Sequence, residues 1–246
     1  MIRLFITDID GCLLEPMKTP DWETLSSIRS LNRKSGDEHH IPPLTICTGR
    51  PMPYAEAVAQ MMGIDRPVIF ENAGVFDPDG YQIHLNNSFT DNVKGKINEL
   101  KSWLQRNVVE RFEGATPEFS KIMDAGIIHP EKSVIQKVLP NVREYVSENY
   151  QNFEVNWTDI SINVILKEND KRTGIKTLSK LAHLDPSEVA YIGDSGGDIT
   201  GLKLAGRSFA PQNATEEVKQ VSEVLDEENT KAVLAAYHQI IEANNK

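Results

Sequence analysis

Two carboxylates and a glycine close the first apolar run of the chain, in Ile6-Thr7-Asp8-Ile9-Asp10-Gly11-Cys12-Leu13-Leu14. Side chains two apart on an extended backbone point the same way, so Asp8 and Asp10 can address one site if the extension persists, while Gly11 lets the chain turn away. One carboxylate can attack an electrophile or hold a cation while the other handles a proton. The same residues also favour an ordinary capped turn, so this stretch alone does not decide for chemistry. Further along, Thr48-Gly49-Arg50, Lys171 and Gly193-Asp194-Ser195-Gly196-Gly197-Asp198 add a hydroxyl, cations and more carboxylates. Asp8, Asp10, Asp194 and Asp198 form a set of hard oxygen donors without His or Cys, which suits Mg2+ better than zinc. Carboxylates so crowded repel one another, and a divalent cation with a nearby lysine is the ordinary way to keep them ionised.

The elements that must position these residues follow from pattern. Ile2, Leu4, Phe5 and Ile6 predict a strand over 2–8 buried on both faces, with Asp8 at its carboxyl end. Thr19-Pro20-Asp21 caps a predicted helix over 21–34, Leu44 to Cys47 is the second strand, a helix runs to about Met62, and Pro67 to Phe70 is a third strand. This βαβαβ order calls for a parallel sheet. The rhythm then changes to a hairpin around Gly80, a helix through Val93 to Val108, a mixed stretch from Phe119 to Ile128, a helix over 133–149, and strands over 153–157 and 160–166. Alternation returns with a helix over 172–183, a strand over 189–192, a strand over 208–210 and a closing helix over 229–243. The expected class is therefore α/β, a doubly wound, mainly parallel sheet formed by residues 1–79 and 167–246, with an inserted α+β module over 80–166. The loops opening at Asp8, Thr48, Lys171 and Gly193 are each expected to leave the carboxyl end of a parallel strand and to meet along one sheet edge.

Composition narrows the partners. The 246 residues carry 26 basic and 36 acidic side chains, a formal charge of −10, which points away from nucleic acid and from anionic membrane surfaces. An anionic substrate would be repelled by that field, so local cations and a metal must override it at the site. Cys12 and Cys47 read as reduced thiols that fill space. No apolar run approaches the length of a spanning helix and no signal segment opens the chain, so the expectation is a cytoplasmic protein, monomer or homodimer.

Taken in order, Asp8-Ile9-Asp10-Gly11, Thr48-Gly49-Arg50, Lys171 and Gly193 to Asp198 resemble the four motifs of the haloacid dehalogenase superfamily of phosphohydrolases. The spacing of 23 residues from Lys171 to Asp194, and the insert between the second and third motifs, resemble the members with a type 2B cap. The chain ends and Val68 to Gly80 look most like archaeal-type phosphoglycolate phosphatases and sugar-phosphate phosphatases. The resemblance implies a Mg2+-dependent phosphomonoesterase acting on a small phosphorylated metabolite. Asp8 would be the nucleophile, Asp10 the acid and base with its carbonyl on the metal, Thr48 and Lys171 the partners of the transferring phosphoryl group, Asp194 the expected metal ligand, and Asp198 a further or outer-sphere one. Gly49, Arg50 and Asn213 would lie toward the substrate, with Arg50 either reaching phosphate or pairing with an acidic neighbour, and Asn213 either near the site or capping the helix after Ala214.

Cys12, Arg172 and Gly197 depart from the usual motif residues without removing a charged catalytic group, and Arg172 is expected to face solvent. Lys176 rivals Lys171, though spacing favours Lys171. Glu118, Ser120 and Lys121 are candidate substrate contacts whose plainer reading is a solvated strand edge. Two other functions fit the same motifs: a phosphomutase, which would return the phosphoryl group to substrate, and a binding module that senses a phosphorylated metabolite without turnover.

Overall fold

The opening apolar run forms β1 (Leu4–Thr7), buried at every residue. Alternate side chains go to opposite faces of the strand and both faces are covered. In the computed structural model, which describes all residues 1–246, Leu4 and Ile6 pack with Ile175 and Leu178 on one side. On the other, the Phe5 and Tyr237 rings lie 5.2 Å apart. Each such fully buried side chain contributes about 1.5–3 kcal/mol. From β1 the chain passes through α1 (Trp22–Lys34), β2 (Leu44–Ile46), α2 (Met52–Met62), β3 (Val68–Phe70), β4 (Gly74–Asp77) and β5 (Gln82–His84). Asp21 caps α1 by accepting from the Thr24 N–H at 3.1 Å.

The chain divides into two compact units, one made of Met1–Leu85 and Asp170–Lys246, the other of Asn86–Asn169. The second unit contains α3 (Asp91–Leu104), β6 (Thr116–Pro117), β7 (Asp124–Ile128), α4 (Lys132–Asn149), β8 (Phe153–Trp157) and β9 (Ser161–Leu166). The first unit then resumes with α5 (Lys171–Leu181), β10 (Val189–Ile192), α6 (Ile199–Leu202), β11 (Arg207–Ala210), α7 (Glu216–Lys219), β12 (Glu223–Val224) and α8 (Asn229–Asn244). Its main sheet is fully parallel in the order β12-β11-β10-β1-β2, so β1 sits between strands from the two ends of the chain.

Two expectations are corrected here. β3 is not a full member of the parallel sheet: it leads a separate antiparallel sheet, β3-β4-β5, and is joined to the main sheet by an isolated parallel bridge from Ile69 to Cys47, the residue just past β2. Glu71 and Asn72 both have positive φ, 44° and 67°, and reverse the chain directly after this three-residue strand. Because β5 pairs with β4, the hairpin stays with the first unit, which extends to Leu85. Lys171, second, does not follow a parallel strand. The strand before it, β9, belongs to the antiparallel sheet β6-β7-β9-β8 of the second unit, and Lys171 is the first residue of α5.

In the second unit Ile162 and Val164 of β9, with Ala125 and Ile127 of β7, form one buried face of the sheet. Ile97, Leu100 and Leu104 of α3 and Ile135, Val138, Val142 and Val146 of α4 are the helices' buried stripes. Val108 joins this core and Trp103 stacks on Tyr145 with ring centroids 4.1 Å apart. The segment around Lys121 is not the solvated edge expected of it. Lys121 is buried, with its ammonium 2.9 Å from Asp124 and 3.1 Å from Glu118, while Ser120 is exposed. Alternation along β7 puts Asp124 opposite the apolar face, and the lysine offsets its buried charge.

The start of α5 is set by Asp170, whose side chain accepts from the Thr173 N–H at 2.9 Å. Replacing Asp170 with Ala is expected to lower unfolding free energy by about 1 kcal/mol through loss of the cap, read as a lower urea midpoint at unchanged m-value.

Candidate active site

Asp8 is the first residue past β1 and only 6% exposed. One of its oxygens, Oδ1, accepts the Ile9 N–H at 2.7 Å, and Oδ2 lies 2.9 Å from the Lys171 ammonium. Lys171 is equally buried and bridges onward to Asp198 Oδ1 at 2.5 Å. Lys176, by contrast, is exposed, so geometry selects Lys171. Asp198 has no exposed surface; its Oδ2 accepts from the backbone of Asp194 at 3.1 Å and of Ser195 at 3.0 Å, and from the Ser195 hydroxyl at 3.1 Å. Its Oδ1 also accepts from the Tyr191 hydroxyl. The structure therefore makes Asp198 an anchor for the lysine and for its own loop.

Asp194 completes the cluster. Ligand oxygens of Asp8, Asp194 and Asp198 all lie within 4.8 Å of one another. Gly11, with φ of 77°, lets the first loop approach this far, since a Cβ there would stand 2.2 Å from Asp194 Oδ2. Three carboxylates facing one ammonium leave two negative charges to be offset, and the donors are all hard oxygens, so the set fits a divalent cation such as Mg2+. The proton affinities carry the same message. Burial raises the Asp8 carboxyl to about 8, against the opposing pull of Lys171. Burial and the neighbouring Asp198 charge raise Asp194 to about 6. For Asp198, burial is outweighed by Lys171 and Tyr191, which hold it below the usual carboxylate range, and Asp198 and Asp8 hold Lys171 charged despite its burial.

The carboxylate of Asp10 is absent from this cluster. Its two oxygens take the Arg50 guanidinium in a fork, with Nε at 2.7 Å from Oδ2 and Nη2 at 2.8 Å from Oδ1. Of the two roles open to Arg50, the structure shows the acidic neighbour, and the guanidinium also lies over the Tyr54 ring at 5.2 Å. Thr48 is buried and its Oγ1 accepts the Arg50 N–H at 3.1 Å. A Cβ on Gly49 would meet Asn72 Oδ1 at 3.3 Å, so this loop is packed against the turn after β3. Arg172 is exposed, as expected of a side chain facing solvent. Asn213 does not cap the helix after Ala214, where Thr215 holds the cap position. Instead Asn213 donates to the Gly11 carbonyl at 2.9 Å and accepts from the Asn229 N–H at 2.9 Å, tying the first loop to the start of α8. The motifs did not single out Tyr191 or Ser195 as holders of Asp198. A tyrosine within the wholly buried run Val189-Ala190-Tyr191-Ile192 was the signal for the first, because a buried phenol needs a partner.

Asp194 binds its proton more tightly folded than unfolded. That contribution therefore favours the folded state at low pH and is lost as pH rises from about 4 through about 6. A divalent cation needs the deprotonated form. Added Mg2+ is thus expected to raise the thermal midpoint by an increment that is small at pH 5 and grows toward pH 8, and Asp194→Asn should remove it. Differential scanning fluorimetry across that pH range checks both.

The family model for haloacid dehalogenase-like hydrolases matches residues 5–116 and 105–237. A phosphoglycolate phosphatase of Methanopyrus kandleri is 28% identical over 247 residues, covering 98% of each chain. One from Thermoplasma acidophilum is 26% identical over 231 residues, covering 92% of each. Among solved structures, a Thermoplasma acidophilum protein superimposes with a TM-score of 0.78 at 22% identity, covering 98% of both chains. The sucrose-phosphatase of Synechocystis does so with a TM-score of 0.66 at 19% identity, also covering 98% of both. The motif loops, the parallel sheet that carries them and a family match spanning most of the sequence agree: the chain belongs to the haloacid dehalogenase-like hydrolases.

Proposed function

We propose that this hydrolase is a phosphatase that cleaves small phosphomonoesters in two displacements on Asp8. The observation that carries the reading is the buried Asp8–Lys171 pair, 2.9 Å across, beside Asp194 at the carboxyl edge of the parallel sheet. A carboxylate attacking phosphorus forms an acyl phosphate, and water then attacks that phosphorus, which divides one difficult hydrolysis into two easier steps. Lys171 offsets charge on Asp8 and on the incoming phosphoryl group, and Asp198 fixes the lysine in place. The Thr48 hydroxyl, buried beside this loop, would donate to a phosphoryl oxygen. Mg2+ would be held by Asp8, Asp194 and the Asp10 carbonyl, with Asp198 behind them, and would supply charge neutralisation at the phosphoryl oxygens.

Asp10 would protonate the leaving oxygen and later take a proton from water. The Arg50 fork occupies one lone pair on each Asp10 carboxylate oxygen, leaves the others for a proton, and so sets the resting position of the acid. Gly49 shapes the same loop, and Asn213 holds the Gly11 carbonyl behind it. We assign substrate choice to the unit Asn86–Asn169, as a cap, because the core residues read only a phosphoryl group. Phosphoglycolate, named in the curated relatives, is the first substrate to try, with sugar phosphates beside it. The chain has no helix long and apolar enough to cross a membrane.

Phosphate release from such a panel, with and without Mg2+, tests the reaction. Metal-dependent release is expected. Asp8→Asn should abolish turnover with the thermal midpoint held or raised, since it removes a buried carboxylate of raised proton affinity. Undiminished turnover by that variant would sink the assignment. Asp10→Asn should lower kcat roughly 10²- to 10⁴-fold.

A further inference from the structure

Tyr191 lies mid-strand in β10, outside the motif residues, and its side chain is completely buried. Its hydroxyl donates to Asp198 Oδ1, the oxygen that also accepts the Lys171 ammonium at 2.5 Å. The buried Cys47 thiol, next to Thr48 in sequence, belongs with Tyr191 to the same buried cluster. A Cβ on Gly201 would come within 2.9 Å of both Tyr191 Cε1 and Ile175 Cδ1, so the ring occupies space that only a glycine leaves open. A large ring has thus been accommodated under the site with its single polar atom on the anchor of the lysine.

We infer that Tyr191 is a positioning residue, whose hydroxyl holds the Asp198 carboxylate at the angle that keeps the Lys171 ammonium on Asp8. A lysine ammonium is a compact charge on a flexible stem, and its direction is decided by what it is bonded to. The Asp198 Oδ2 side is fixed by the Asp194 and Ser195 backbone, and Tyr191 fixes Oδ1 from below. Without the phenol, Oδ1 keeps only the lysine, and the two can shift together away from Asp8.

The inference rests on the reading of Asp8 as nucleophile, and the test separates the two. Tyr191→Phe keeps the ring and removes the hydroxyl. With saturating Mg2+ and the best substrate of the panel, kcat is expected to fall about tenfold, with KM within twofold and the thermal midpoint retained. Independently of turnover, the Lys171 side-chain NH3+ resonance of 15N-lysine-labelled protein, assigned by its loss in Lys171→Met, should be sharp in the parent and broadened or lost in Tyr191→Phe. An unchanged resonance overturns the inference even if no substrate is ever turned over. So does a kcat within twofold of the parent, or a collapse of the midpoint, which would make the hydroxyl a prop for the fold alone. Absence of phosphate release by the parent, with the resonance behaving as expected, would count against the phosphatase reading and leave the positioning role standing.

Discussion

One buried ammonium between two carboxylates organises this molecule. Lys171 is paired with Asp8 on one side and Asp198 on the other, and all three are almost out of water. Replacing the lysine would leave two buried carboxylates with no cation between them, a cost of about 3–5 kcal/mol, whereas either carboxylate can be neutralised while the other keeps the ammonium paired. The start of α5, the end of β1 and the loop after β10 are therefore held in mutual register by electrostatics as well as by the apolar contacts beneath them. Moving any of the three would misplace the others.

Much of this was legible in the sequence, for a physical reason. Asp8 stands directly after, and Asp194 one glycine after, a strand buried at every residue, and a run buried on both faces of a parallel sheet has few other ways to end. Sequence order then brought Lys171 and Thr48 to the same edge. What was not legible depends on partners remote in the chain. The Asp10–Arg50 fork, the burial of Lys121 between Glu118 and Asp124, and the bond from Asn213 to Gly11 are choices among several available neighbours. The departure of β3 from the main sheet turns on the left-handed backbone of Glu71 and Asn72, non-glycine residues whose positive φ no local pattern announces.

The protein's net charge of −10 makes an anionic substrate unwelcome in general, so recognition has to be local. Both cations at the site are already engaged, Lys171 with Asp8 and Asp198, Arg50 with Asp10. On the proposed reading, binding a phosphoryl group would be an exchange of partners, with carboxylates giving up part of their compensation to the ligand. Sites built this way are tuned to the transferring group, because charge must be redistributed among fixed groups as the reaction proceeds.

The central strand β1 is flanked by β2, complete by residue 46, and by β10, which begins only at Val189. During synthesis, β1 therefore waits with one edge bare, and Asp8 and Asp10 wait without Lys171, while the whole of the other unit, Asn86–Asn169, is made. Contacts of such sequence separation form slowly and leave strand edges open to wrong partners in the interval. The arrival of α5 and β10 is thus one event with two results, closing the bare edge of β1 and bringing Lys171 to Asp8.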